Sequence, residues 1–101
     1  MKLNSYNLFV KAFGSRVRLD IIKLLRNKPL SVSEIYKELG SEQSKVSHNL
    51  KCLVDCGFVT YNRKGKKKIY SINKSTVLPI LEAVDRHVDK YYDHLVKCGV
   101  I

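Results

Sequence analysis

The sequence predicts a mainly helical α+β fold in which one small β-hairpin interrupts a series of helices. Apolar residues recur at intervals of three and four over most of the chain, and they change to a strand-like pattern only near residues 58–72. The chain has 101 residues, which fits one domain. Its hydrophobic fraction of 45% and charged fraction of 28% are those of an ordinary globular protein.

The first two predicted helices are separated by a glycine and a capping residue. Leu3–Phe13 has apolar residues at helical spacing and ends at Gly14. Ser15 then has the side chain that caps a helix, and Arg16–Arg26 carries the next amphipathic pattern. Pro29 disfavours further helix, so the second helix is expected to end shortly before it.

Two shorter helices follow, joined by a tight turn. Ser31 and Glu34 form a capping-box sequence at the start of the helix Val32–Leu39, and Gly40 is suited to end it. The next helix is predicted over Glu42–Cys56 because apolar residues again recur at intervals of four and three. Its inward-facing residues are predicted to be Val46, Leu50 and Leu53.

The remainder of the chain is predicted as a β-hairpin followed by one long helix. Two strand-like segments flank the turn Asn62–Lys66, which contains Gly65. The long helix follows Asn73 and runs to about Lys97, with Pro79 in its first turn, where a missing N–H costs little. A short helix, a turn, a second helix and a hairpin, in this order, are typical of a winged helix-turn-helix.

Positive charge is concentrated on the part of the chain before the last helix. The net charge is +10; residues 1–76 contain 16 Lys and Arg against 5 Asp and Glu, whereas residues 77–101 contain 3 against 4. The positive charge of residues 1–76 suggests a polyanionic partner. Charge alone is explained equally well by a solvated, lysine-rich surface.

The second helix of the pair and the hairpin together indicate that the polyanion is double-stranded DNA. The helix has a polar outer face, mostly in the half that reaches base edges in such proteins, where glutamine pairs with adenine and lysine with guanine. The hairpin region has six basic residues, from Arg63 to Lys74, and no acidic residue among them, which is tolerable when they meet phosphates. An ordinary surface helix and a lysine-rich loop that protects a sheet edge are the alternatives. The predicted DNA-binding residues are Gln43, Ser44, Lys45, Ser47, His48 and Lys51 on the helix and Arg63, Lys64, Lys66, Lys67 and Lys68 on the hairpin.

Residues 12–72 resemble the ArsR/SmtB family of prokaryotic winged-helix repressors in the order and spacing of their elements. The matching stretches are Arg16–Leu25, Leu30–Ile35, Gln43–Leu53 and Gly57–Val59, followed by the basic hairpin. The resemblance implies a symmetric dimer whose recognition helices enter successive major grooves. It also implies a signal, often a metal ion, that lowers DNA affinity.

The last predicted helix supports a homodimer independently, because its apolar residues form a sustained heptad seam. A single small domain has little core left to cover so long a seam, although packing on the first helix is an alternative compatible with a dimer. The domain is therefore divided into an N-terminal dimerisation helix (1–13), a winged helix-turn-helix core (14–72) and a C-terminal dimerisation helix (75–98). The predicted interface residues are Tyr6, Phe9, Val77, Leu81, Val84, Val88, Tyr91 and Leu95.

The last helix also carries the candidate metal ligands. Asp85 and His87 match an acidic–histidine pair of a zinc site in the family, whose other two ligands come from the other subunit, at positions that correspond to Cys98 and Ile101. A solvated helix face is the favoured alternative, so no cofactor is expected. The Cys-x-Cys of many metal-sensing members is absent from the helix Val32–Leu39.

Cys52 and Cys56 lie four residues apart and are expected to pack as small apolar residues. Three cysteines, an odd number, do not form a disulfide framework, and the polar N-terminus lacks the apolar stretch of a signal peptide, so a cytoplasmic protein is expected.

An enzyme is not expected, because the sequence has no glycine-rich phosphate loop and no nucleophile with a convincing base. A winged helix that only contacts proteins is the alternative, but it would not explain the basic hairpin. The hypothesis is therefore a sequence-specific, homodimeric DNA-binding regulator that acts as a repressor at an inverted-repeat operator.

Overall fold

Five helices and a three-stranded antiparallel sheet make up residues 3–99, the part of the chain that the computed structural model describes, without the side chains of Leu3 and Leu95. The elements are α1 (Leu3–Phe13), α2 (Arg16–Asn27), β1 (Leu30–Ser31), α3 (Val32–Leu39), α4 (Gln43–Asp55), β2 (Val59–Lys64), β3 (Lys67–Ile72) and α5 (Val77–Lys97). The predicted α+β fold is confirmed.

Local hydrogen bonds cap α2 and α3 where the sequence predicts. The Ser15 hydroxyl accepts from the backbone N–H of Arg18 at 3.4 Å. The Ser31 hydroxyl accepts from the backbone N–H of Glu34 at 3.3 Å, and the Glu34 carboxylate accepts from the Ser31 N–H at 2.9 Å. These two bonds form the predicted capping box and hold the pKa of Glu34 below its ordinary value. Gly40, with a φ of 65°, ends α3 in the left-handed conformation.

A third strand, which the sequence pattern did not predict, anchors the hairpin. β1 pairs with β3, with Leu30 opposite Tyr70 and Ser31 opposite Ile69, so the sheet order is β1-β3-β2. A strand of two residues is too short to show alternation, and Pro29 indicates only where α2 ends. Because Ser31 is also the cap of α3, the sheet and the helix pair are joined at this residue.

The hairpin turn is shorter than the predicted segment Asn62–Lys66. β2 and β3 pair as far as Lys64 opposite Lys67, which leaves only Gly65 and Lys66 in the loop. Gly65 has a φ of 64°, while no non-glycine residue in the described range has a positive φ, so the loop has the type II′ pattern with glycine first. The two strands are therefore paired along their whole length, up to the two-residue loop at the tip of the hairpin.

One apolar core joins the helices to the sheet. α4 contributes the residues that were predicted to face inward, and the first turns of α5 close the core on one side. The fully buried side chains are Ile21, Ile22, Ile35, Val46, Leu50, Leu53, Val59 and Val77. Within residues 3–99, no helix is long and apolar enough to cross a membrane.

α5 divides into a buried start and an exposed remainder. Val77 and Leu81, predicted at the dimer interface, are 0% and 5% exposed and belong to the core of the single chain. They lie there because the first turns of α5 cover the core, so they have almost no surface left for a partner. Val84, Val88 and Tyr91 are exposed. The side chain of Leu95 lies outside the described residues.

Candidate nucleic-acid interface

α4 presents a polar face to solvent and an apolar face to the core. Val46, Leu50 and Leu53 are fully buried, which fixes which side of the helix faces outward. The predicted reading residues are all exposed: Gln43, Ser44, Lys45, Ser47, His48 and Lys51. The outer face thus carries amide, hydroxyl, imidazole and ammonium groups, which are the groups that bind base edges and phosphates.

The wing, formed by β2, the Gly65–Lys66 loop and β3, lies beside the start of α4. A cleft of about 320 Å³ is bounded by the wing on one side and by α3 and the first turn of α4 on the other. The lining includes Gln43, Ser33, Tyr36, Arg63, Lys66, Lys67 and Lys68. The structure therefore brings the predicted helix residue Gln43 together with four of the five predicted basic residues of the wing. The fifth, Lys64, is exposed near the tip.

Lys68 differs from the other wing lysines because it packs on an aromatic ring. Its Nζ atom lies 4.7 Å from the centroid of the Tyr61 ring, and the side chain is half-buried. Tyr61 and Tyr70 occupy paired positions on β2 and β3, with ring centroids 5.6 Å apart. Burial raises the pKa of Tyr70.

A second cleft, of about 520 Å³, lies between these wing residues and the outer face of α4. Ser47 and Lys51 line it on the helix side, and Tyr61, Lys68 and Tyr70 line it on the wing side. Sequence reasoning missed Tyr61, although an aromatic residue beside a run of basic residues is typical of nucleic-acid-binding surfaces. The helix and the wing therefore bound two clefts, which share Val32 and Lys68 in their linings.

The joint between α4 and the wing, Gly57–Phe58, is held from two sides. Asn73 donates from Nδ2 to the Gly57 carbonyl oxygen and from its backbone N–H to the Phe58 carbonyl oxygen, both at 2.9 Å. On the other side, the Phe58 ring meets Phe9 and Phe13 of α1 edge to face, with centroids 5.5 and 5.9 Å away. The predicted interface residue Phe9 is thus half-buried within its own chain, whereas Tyr6 is exposed.

Two of the candidate metal ligands on α5 already contact other side chains of their own chain. The Asp85 carboxylate pairs with the Arg26 guanidinium at 2.7 Å, and the His87 ring lies against Tyr91, with centroids 4.8 Å apart. Cys98 is 11 residues beyond His87, roughly 16 Å along a helix, so these two residues could share an ion only if Cys98 came from the other subunit, as the resemblance implies. Among the residues described, no three metal-ligating side chains are grouped to hold an ion. Ile101 lies outside the described residues.

The cysteines of α4 are more exposed than predicted. Cys56, at the C-cap of the helix, is exposed. Cys52 is half-buried, with its Sγ atom 3.9 Å from Nε2 of His48.

Comparison with known proteins identifies the family. The family model described as bacterial regulatory protein, arsR family, matches residues 15–61, from the cap of α2 into β2. HTH-type transcriptional regulator NmtR of Mycobacterium tuberculosis is 36% identical over 78 residues, which are 77% of this chain and 65% of NmtR. This chain belongs to the ArsR family. The resemblance that the sequence suggested is confirmed.

A second curated relative and a solved structure are also similar to this ArsR-family chain. A Streptomyces lividans protein named "Probable mercury resistance operon repressor" is 33% identical over 73 residues, 72% of this chain and 58% of that protein. The chain thus spans less than two thirds of the length of either curated relative. A homodimeric winged helix-turn-helix DNA-binding domain from Mycobacterium bovis superposes with a TM-score of 0.81 at 27% identity, covering 91% of this chain and 85% of that domain. The predicted winged helix-turn-helix is confirmed.

Proposed function

We propose that this chain is a homodimeric transcriptional repressor that binds an inverted-repeat operator in double-stranded DNA. The observation that carries the proposal is the cleft in which Gln43, at the start of α4, lies beside the basic residues of the wing. DNA reading requires polar groups that reach base edges and positive charge beside them that binds phosphates. α4 and the wing supply these two parts on one surface. The proposal includes no catalytic activity, and a regulator of bacterial DNA would act in the cytoplasm.

In the proposed complex, α4 is the recognition helix and lies in the major groove. Its first half, with Gln43, Ser44 and Ser47, would lie nearest the base edges, while Lys45 and Lys51 would contact phosphates. The wing lysines would follow the neighbouring backbone, where they provide affinity without sequence preference.

The dimer is supported by the exposed part of α5. Val84, Val88 and Tyr91 are 45%, 36% and 42% exposed, and their burial against a second copy would remove apolar surface from water. We assign dimerisation to residues 1–13 and to the part of 75–98 beyond Leu81. The homodimeric M. bovis domain supports a dimer. A two-fold axis would place the two recognition helices about one DNA turn apart, roughly 34 Å.

Repression is supported by the name of the S. lividans relative, a repressor. We further propose that the protein works without a resident zinc ion, because the Asp85 carboxylate is already paired with the Arg26 guanidinium at 2.7 Å. The metal content of protein purified without chelators tests this proposal. A content far below one ion per subunit is expected, and one tightly held ion per subunit would contradict it.

Selection from a pool of random DNA duplexes tests the proposed function. The wild-type chain is expected to enrich an inverted repeat whose half-sites are about 10 base pairs apart, centre to centre. A winged helix used only for protein contacts would enrich no sequence. Enrichment of a single, non-repeated site would support sequence-specific DNA binding but contradict the dimer.

A further inference from the structure

Asn49 lies on α4 among the proposed reading residues, but its side chain is engaged within the protein. Its Oδ1 atom accepts a hydrogen bond from Nε of Arg18 at 3.0 Å, and its Nδ2 atom donates to the carbonyl oxygen of Lys45 at 2.8 Å. Asparagine reads adenine by using its amide oxygen and nitrogen together. Because both atoms are already bonded, Asn49 is not available for that contact as it stands.

Arg18 approaches α4 from a fixed position on α2. Its backbone N–H is bound by the Ser15 cap, and its half-buried side chain reaches across to a residue 31 positions later in the chain. A guanidinium is planar, so a bond from Nε constrains the direction from which its partner is held. The bonds therefore run from α2, through Asn49, to the backbone of Lys45 in the first half of α4.

We propose that Arg18 is a positioning residue for sequence reading, because through Asn49 it fixes the rotation of α4 about its own axis. The proposal rests on the proposed function and names a further residue that serves it. The buried residues Val46, Leu50 and Leu53 fix which side of α4 faces outward. A hydrogen bond from a charged donor is directional, so the bond from Arg18 restricts the small rotations that remain. A small rotation of α4 would displace Ser44 and Ser47 from base edges while leaving the flexible wing lysines on phosphates.

The alternative role for Arg18 is to supply positive charge to DNA. Arg18→Lys separates the two roles, because lysine keeps the charge and loses the planar Nε–H. Arg16 provides a matched control, since it is an exposed arginine two residues earlier on the same helix. Arg16→Lys makes the same chemical change at a position where no bond to α4 is lost.

The experiment measures affinity for the duplex enriched by selection and for a random duplex, each at several salt concentrations. The proteins compared are wild type, Arg18→Lys, Asn49→Ala, their double variant and Arg16→Lys. The ratio of the two affinities is insensitive to a loss of folded protein, because unfolding lowers both affinities equally. Arg18→Lys and Asn49→Ala are each expected to lower this ratio roughly 5- to 30-fold, which corresponds to the loss of one or two kcal/mol. The double variant is expected to be no worse than either single variant, because the residues act as one unit. Affinity for random DNA and its salt slope should stay unchanged, and Arg16→Lys should behave as wild type.

Two results would overturn the positioning role. One is an Arg18→Lys variant that keeps the wild-type ratio, and the other is a double variant whose losses are the sum of the single losses. Both leave the proposed function intact, because they presuppose that the wild-type chain prefers its site. A wild-type chain that binds both duplexes equally would instead overturn the proposed function and the positioning role with it.

Discussion

Asn73 donates a hydrogen bond from its side-chain amide to the carbonyl oxygen of Gly57, with the two atoms 2.9 Å apart. Gly57 follows α4 and Asn73 follows β3, so this bond closes the base of the wing onto the end of the recognition helix. The Oδ1 atom of Asn73 also accepts from the backbone N–H and the hydroxyl of Ser75, at 3.1 and 2.8 Å. One side chain therefore joins α4, the wing and the segment that leads into α5.

Asn73→Ala is expected to destabilise the fold by about 1–2 kcal/mol, because it removes the side-chain bonds and leaves the Gly57 carbonyl without its donor. Urea denaturation measures the change in the free energy of unfolding. Asn62→Ala is the control, since Asn62 is an exposed asparagine of β2. Equal stability losses in the two variants would show that the joint does not depend on Asn73.

Lys66→Ala combined with Lys67→Ala is expected to weaken binding to every DNA sequence and to flatten the salt dependence. Each lost phosphate contact should reduce the slope of log affinity against log salt by about 1. Titrations at several salt concentrations measure this slope. Lys23→Ala with Lys37→Ala removes the same charge from exposed positions on α2 and α3 and should change the slope less. An unchanged slope in the wing variant would show that Lys66 and Lys67 do not contact DNA phosphates.

Gln43→Ala is expected to cost about 1–3 kcal/mol at the selected site and little on random DNA, if the amide pairs with a base. Competition titrations with the two duplexes measure both affinities. Gln43 also lines the cleft that contains the wing lysines, where a backbone phosphate could sit. Equal losses on the two duplexes would place Gln43 on the backbone and remove it from sequence reading.

Val88→Asp is expected to split the dimer, because the two-fold axis would bring two carboxylates together in an apolar seam. The monomer would keep its phosphate contacts but lose the second half-site, so affinity for the operator should fall far more than affinity for random DNA. Sedimentation and DNA binding are measured on the same sample. Arg86→Ala makes the same change of charge two residues earlier, on the opposite side of α5, and should remain dimeric. A wild-type chain that is monomeric at micromolar concentration yet binds its operator fully would contradict the dimer.

Local patterns predicted the parts of the fold that depend on residues close in sequence. Ser31 and Glu34 are three residues apart, and their reciprocal bonds were visible as a sequence signature. The pairing of Leu30 with Tyr70 joins residues forty positions apart and leaves no local pattern. Leu81 shows the same limit, because a heptad position is satisfied equally by a partner helix and by the chain's own core.

In the candidate interface, too, the sequence predicted the local features but not the long-range contacts. The exposed face of α4 follows from its helical period, and the basic wing follows from composition. The contacts that orient these elements are long-range: Arg18 to Asn49, and Asn73 to Gly57. Polar residues that form such contacts have the same sequence appearance as polar residues that remain in water. Only the folded arrangement distinguishes them.

The start of α5 has a consequence for how much protein the cell must make. Because Val77 and Leu81 complete the core within one subunit, we expect a subunit to fold before it meets its partner. Assembly would then be an encounter between folded monomers, and well below the dissociation constant the amount of dimer rises with the square of the monomer concentration. Halving the expression level would therefore reduce operator occupancy about fourfold where the operator is also far from saturated. Control by this protein would respond sharply to the number of gene copies and to dilution at cell division.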